Sequence, residues 1–371
     1  MNFPAPDLTL FFFASAFILT VLASPLLIIV LKQFGVVRKD ERDLSFLIGE
    51  RKEKRGTPIM GGLIIVFTVT FLTLFFNWHR ETTYVPIGVL LLSALLGGAD
   101  DLLNIFYARP RPVRTVGRIL RLIRTHQTAW KRVEYAITLP WHAYKRFFYL
   151  LGSHPGHGIQ AHEKIIVQFI IGAIVAWWIV FKIEWIEIWI PWAGHLVFLP
   201  FLLVPIIIFL VMFMANAVNI TDGIDGLSAG TLTLAYAAFF VIAIQQQNVE
   251  MTLLIATVIG ALIGYLLFNI KPAKYQMGDV ASLGLGVLLT AIAFALDRAF
   301  LLPIVGAIFF IEIGAVLLQS AWKILFGKRL FLMAPLHHHF EMKGWSEATI
   351  VMYAWTIGGL FSVLAIWLSF H

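Results

Sequence analysis

Residues 198–215 read FLPFLLVPIIIFLVMFMA, a long run without a single charge. Runs of this kind recur along the chain, and they constrain its fold more than any other feature. A helix needs about 20 apolar residues to cross a bilayer, and lipid offers no partner to an open backbone. By that measure ten candidate spans are read, at 8–31, 58–77, 85–106, 164–181, 196–216, 227–244, 251–269, 281–296, 301–321 and 349–370. Composition agrees, since 60% of the 371 residues are hydrophobic and 13% charged, against roughly 45–50% and 25% in soluble domains. The expected fold class is an all-α polytopic membrane protein of about ten transmembrane helices, a single domain over 1–371. MNFPAPDLTL has no basic segment, and the apolar run to Leu31 exceeds a signal-peptide core, so the first run reads as a retained span.

Charge gives the expected topology. Of the 28 Lys and Arg, 25 fall in the loops after spans 1, 3, 5, 7 and 9, counting Lys164 at a span end; Arg80, Lys182 and Arg298 are the rest. Basic loops face the cytoplasm, which puts both termini on the periplasmic or extracellular side. The net charge of +7 is then a topology signal and calls for no nucleic acid. With no cysteine, disulfides and thiolate metal sites are excluded.

The same inner loops hold the unusual chemistry. GGADD ends span 3 with Asp100 and Asp101, and an ionised acid at that depth costs several kcal/mol unless it is paired or bound to metal. A solvated pair just past the helix end is the plain alternative. NAVNITDGIDGLS (216–228) adds Asp222 and Asp225. Asn216 and Asn219 share a helical face, and Gly223 and Gly226 allow a bent backbone close to a ligand. A simple turn between spans would need about four residues, so a site is favoured there. Asp279 in MGDVASLGLG is alone only a helix N-cap, but it is the fifth carboxylate on this face. Lys52, Lys54, Lys271 and Lys274 share that face. Many hard oxygens, no thiol and several lysines point to Mg²⁺ or Mn²⁺ and to phosphate chemistry. In PLHHHFE, His337, His338 and His339 are consecutive and point different ways on a helix, which fits phosphate or sugar contacts or proton transfer better than zinc. Thr57 in KRGTPIMGG opens span 2 and is ambiguous alone.

GTPIMGG, ADD, NAVNITDGIDGLS, MGDVASLGLG and PLHHHFEMKGWSE, in this order, resemble the phospho-N-acetylmuramoyl-pentapeptide transferase branch of the polyprenyl-phosphate N-acetylhexosamine-1-phosphate transferases. The resemblance covers nearly the whole chain. It implies Mg²⁺-dependent transfer of phospho-MurNAc-pentapeptide from UDP-MurNAc-pentapeptide to undecaprenyl phosphate. The products would be lipid I and UMP, made in the bacterial inner membrane for peptidoglycan by a homodimer. Residue by residue, it implies catalytic roles for Asp100, Asp101, Asp279 and His337, with Asp279 and Asp101 as Mg²⁺ ligands. It implies substrate contacts from Lys54, Thr57, Asn216, Asn219, Asp222, Gly223, Ile224, Asp225, Asn269, His338 and His339. The position that usually stacks an aromatic ring on uracil is Gln276, with Tyr275 beside it as a candidate replacement. Asn104 stands where relatives usually carry a lysine.

The loop between spans 3 and 4, residues 107–163, is far longer than that family's usual connection. Arg118, Arg121 and Arg124 alternate with apolar residues there, which reads as a basic amphipathic helix on the anionic inner leaflet, a cover for the site; a second helix bent at Pro140 is expected after it. Two other readings stay open. A relative transferring phospho-N-acetylglucosamine is disfavoured by the histidine motif. A divalent-cation or nucleotide-sugar transporter would hold its acids near mid-membrane, where only Glu312 stands out.

Overall fold

Each of the ten apolar runs holds a helix. The computed structural model describes residues 6–38, 54–79, 82–106, 116–150 and 159–371; Lys52 and Arg80 lie outside them. Eight helices are long and apolar enough to cross a membrane. They are α1 (Pro6–Gln33), α3 (Tyr84–Phe106), α6 (Ala161–Trp177, continued by a wider turn to Lys182), α7 (Pro200–Thr221), α8 (Leu227–Gln245), α9 (Val249–Asn269), α12 (Ala307–Phe326) and α14 (Glu347–Leu368). Two more are shorter, α2 (Leu63–Phe76) and α10 (Asp279–Ala295). Between them lie α4 (Val116–Thr125), α5 (Ala129–Leu150), a hairpin of β1 (Glu187–Ile190) and β2 (Gly194–Val197), the single turn α11 (Leu302–Val305), and α13 (Leu336–Met342).

Local chemistry sets the ends. Gln160 and Glu163 form a reciprocal capping box at the start of α6, Asn248 caps α9 and Ser346 caps α14, each accepting an otherwise unpaired N–H. Pro200 sits in the first turn of α7, where its missing N–H costs nothing. α9 is apolar on all sides and is enclosed by α1, α2 and α8. α10 is enclosed likewise, between α3 and α7. These two form the centre of the bundle.

Three boundaries depart from the sequence reading. Span 2 begins at Leu63, because residues 58–62 are turns and Pro58 pairs with Val37. α7 runs five residues past the expected end at 216, so Asn216 and Asn219 are helical. The expected span over 301–321 is broken at Gly306, between α11 and α12. The β hairpin was not anticipated at all. Its strands pair Glu187 with Val197 through Ile190 with Gly194, and Asp297 pins it to the end of α10. That carboxylate accepts from Trp185 Nε1 at 3.1 Å and Trp189 N at 3.3 Å, and it lies 2.7 Å from His195 Nε2. Arg298 stacks on the Trp189 ring at 3.9 Å.

Candidate active site

Asp100 and Asp101 lie in the last two turns of α3, and Asp279 is the first residue of α10. The two helices touch backbone to backbone at Gly97, where a Cβ would fall 2.0 Å from the Asp279 carbonyl oxygen. Asp101 Oδ2 accepts the Val280 N–H at 3.2 Å, an acid on the positive end of α10. Gly278, at φ +76°, turns the chain into that helix; a Cβ there would lie 2.7 Å from Asp101 Oδ2. Only glycine meets both demands.

The Lys164 ammonium bridges Asp100 and Asp279, 2.7 Å from Oδ2 of each. Asn104 donates to Asp100 Oδ2 at 2.9 Å, and the Ile159 N–H closes on Oδ1. Asn219 donates to Asp279 Oδ1 at 2.7 Å and to Ser282 Oγ at 2.9 Å. Asp222 caps α7 and accepts the Gly278 N–H at 3.3 Å. Burial pushes its carboxyl up to about 8; the Gly278 N–H opposes the rise, and Asp279 and Asp225 add to it. Asp225 is paired with Lys54 at 2.8 Å and accepts the Ala273 N–H at 3.2 Å. Lys54 also lies 2.9 Å from Glu347 at the start of α14. A cavity of about 320 Å³ opens beside this triad, lined by Lys32, Arg55, Thr57 and Lys274 among others.

The three histidines have three surroundings. His337 is fully buried: its N–H donates to Glu312 Oε1 at 3.1 Å, and its Nδ1 lies 3.1 Å from Glu312 Oε2. Its Nε2 has no partner among the described residues, and a Cβ on Gly223 would fall 2.2 Å from it. His337 therefore presents one ring nitrogen to the turn that carries Asp222 and Asp225. Glu312, which had no account from sequence, orients that ring. His338 Nδ1 pairs with Glu341 at 2.6 Å, and His339 Nδ1 accepts the Leu332 N–H at 3.2 Å.

Five expected substrate contacts are engaged within the protein itself. Asn216 spends its amide on Gln168 and on the Met212 carbonyl, each at 2.7 Å, and joins α7 to α6. Asn269 is buried, receiving the Gly226 N–H and donating to the Tyr275 carbonyl, each at 3.1 Å. Tyr275 cannot stack on a base as placed: it is fully buried, its hydroxyl is 2.9 Å from Ser24 Oγ, and its ring packs edge-on to Tyr265 and against Gly61. The hydrophobic gain of burying that ring, with its hydroxyl satisfied, makes it a core residue. Ile224 is buried with Leu227 and Val351 under the turn. Gln276 is part-exposed, and its side chain accepts from Arg38 at 3.3 Å.

Sequence reasoning gave no site role to Lys164, Glu347 or Glu312. Lys164 was counted only as positive charge, although a lysine in the first turn of an apolar helix facing two acids is the available signal. Lys54 and Lys164 form ion pairs with three of the five aspartates, Asp225, Asp100 and Asp279. The excess negative charge and the all-oxygen donor set fit a hard divalent cation, and the Lys164 ammonium already bridges two carboxylates as such a cation would. No three acidic or histidine side chains converge on one point among the described residues. That is compatible with Mg²⁺, which takes one or two carboxylates and completes its shell with phosphate oxygens.

Residues 156–297 match the family model described as glycosyl transferase family 4. Over 323 residues the chain is 33% identical to the phospho-N-acetylmuramoyl-pentapeptide-transferase of Levilactobacillus brevis, covering 85% of each. It is 32% identical over 360 residues to that of Halalkalibacterium halodurans, covering 95% of each. With that of Lactiplantibacillus plantarum it shares 34% identity over 327 residues, 85% of each.

Proposed function

The chain belongs to the phospho-N-acetylmuramoyl-pentapeptide-transferase family, a family of membrane enzymes, and from that premise we propose the reaction it performs. It transfers phospho-MurNAc-pentapeptide from UDP-MurNAc-pentapeptide to undecaprenyl phosphate, giving lipid I and UMP on the cytoplasmic face of the bacterial inner membrane. The observation that carries this reading is the cluster of five aspartates against two lysines, Lys54 buried and Lys164 half-buried, at one end of the helix bundle.

In the proposed reaction an oxygen of the lipid phosphate attacks the sugar-bearing phosphorus in line. A new P–O–P bond forms, the old one to the uridine-bearing phosphate breaks, and UMP leaves with the bridging oxygen. Asp100 and Asp101 orient the lipid phosphate and take up any proton it carries. Lys164 and Lys54 bind phosphate oxygens once substrate competes with their carboxylate partners for the ammonium groups. The His337 Nε2, held by Glu312, addresses the diphosphate or sugar above Gly223. Mg²⁺ would be held by Asp279 with Asp100 or Asp101, and when bound it offsets charge on the diphosphate. A phosphate monoester is already an adequate nucleophile, so alignment and charge stabilisation supply most of the acceleration.

The test is UMP release and lipid-linked product from purified protein, with UDP-MurNAc-pentapeptide and UDP-N-acetylglucosamine compared in Mg²⁺ and in chelator. The expected result is chelator-sensitive turnover of the muramoyl substrate, lowered at least about 100-fold in Asp279→Asn. Turnover of the simple sugar instead would assign the chain to the sibling reaction.

A further inference from the structure

The helices α4 and α5 pack against each other, and α5 meets the bundle at α6. Tyr144 Oη donates to the His162 carbonyl at 3.1 Å, and the rings of Trp141, Tyr144 and Phe148 stand 5.2, 6.1 and 6.3 Å from the His162 ring. Two residues further on, Lys164 bridges Asp100 and Asp279. The Ile159 N–H, just before the capping box of α6, closes on Asp100. The hairpin is thus seated on the segment that fills the acid pair.

From the edge of this seat, where Trp141 stands, α5 presents an unusual surface running outward. Trp130, Val133, Ile137 and Trp141 recur at intervals of three and four residues, one stripe along a helix. They are 76%, 49%, 74% and 36% exposed. Arg118, Arg121 and Arg124 on α4, with Lys131, Arg132, Lys145 and Arg146 on α5, accompany the stripe, against the single acid Glu134. An apolar stripe with tryptophan, set among bases, is the signature of a helix lying in a lipid–water interface. The chain also enters and leaves this region through α3 and α6, both long and apolar enough to cross the membrane, which keeps the hairpin at the membrane boundary. Seven bases against one acid select a negatively charged leaflet over a neutral one.

We propose that the α4–α5 hairpin is a binding surface for anionic phospholipid, with the Trp130–Ile137 stripe at the acyl boundary. Through the Tyr144–His162 seat it holds Ile159–Lys164 against the acid pair, so that surface charge of the leaflet supports turnover; this second half rests on the transferase reading of the site.

The chain has no cysteine, so a nitroxide on Ile137→Cys reports depth without background. The full-length protein is reconstituted in phosphatidylcholine vesicles, with and without 30% phosphatidylglycerol on the order used for anionic leaflets, and collision with oxygen and with an aqueous nickel chelate is measured. In the anionic vesicles the label should favour oxygen. In the neutral vesicles, or with R118Q/R121Q/R124Q added, nickel accessibility should rise severalfold. Turnover should fall severalfold under the same two changes, and Tyr144→Phe should lower turnover while leaving the label deep. A label open to nickel in both lipids overturns the proposal. So does one shielded from both reagents, which would place a protein partner or a second copy on the stripe, and so does equal depth in both lipids. Turnover absent in every lipid with the label deep would count against the transferase reading alone.

Discussion

Lys164 is the residue on which the cluster turns, since it neutralises Asp100 and Asp279 from a helix that carries neither. If Mg²⁺ shares those carboxylates with the ammonium while substrate phosphate binds the ammonium, Lys164→Met should lower kcat by about 100-fold, as loss of a preorganised charge does. The same change should lower the Mg²⁺ concentration for half-maximal turnover, because the competing cation is gone. A higher Mg²⁺ requirement would overturn the shared-carboxylate picture. Asp222 carries the clearest pH consequence. Its folded carboxyl keeps its proton to about pH 8, whereas the ordinary value is 3.8. Its contribution to stability is fully present below the ordinary value and is lost as pH rises towards 8. Asp222→Asn escapes that loss. Its unfolding free energy relative to the parent should therefore climb between pH 5 and 8.5, by roughly 4 kcal/mol for a proton held over about three pH units. A pH-independent difference would sink the assignment. At this scale the sequence was a good guide to residue type and a poor one to partnership. Five aspartates and three histidines were legible because charge is rare in so apolar a chain. That Tyr275 turns inward to Ser24, and that Asn216 belongs to a helix contact, depend on packing between segments 48 to 251 residues apart.

Elements were legible where one chemical signal dominates. Apolar length marked the helices, and arginine spacing marked α4. The break at Gly306 was not, since its flanks are equally apolar and the interruption follows from how α11 and α12 pack. The β hairpin was hidden for another reason: EIWIPWAGHLV alternates poorly, and what holds it is Asp297, a hundred residues away. Asp297 gathers two N–H groups and a histidine, so Asp297→Ala leaves buried donors unpaired. It should cost about 2–4 kcal/mol in unfolding assays. Turnover measured at the remote acid cluster should stay within about twofold, as independent sites do. A large loss of activity at full stability would mean the hairpin communicates with the site.

For the whole molecule, the placing of the basic loops predicts the topology, and single cysteines test it. His371→Cys should react with a membrane-impermeant maleimide on intact spheroplasts, whereas Lys328→Cys should react only after lysis. The reverse pattern would turn the bundle over and place the acids outside. One feature of the bundle also bears on how it is made. α1 is synthesised well before α9, yet it packs along that helix, which is not complete until residue 269. At roughly 5–20 residues per second, α1 must wait on the order of 10–50 s in the bilayer before its partner exists. Throughout that interval its future contact face is turned to lipid or to another protein. Maturation of this enzyme therefore has a built-in delay, and a chain stalled before α9 should leave α1 available for crosslinking to insertion machinery.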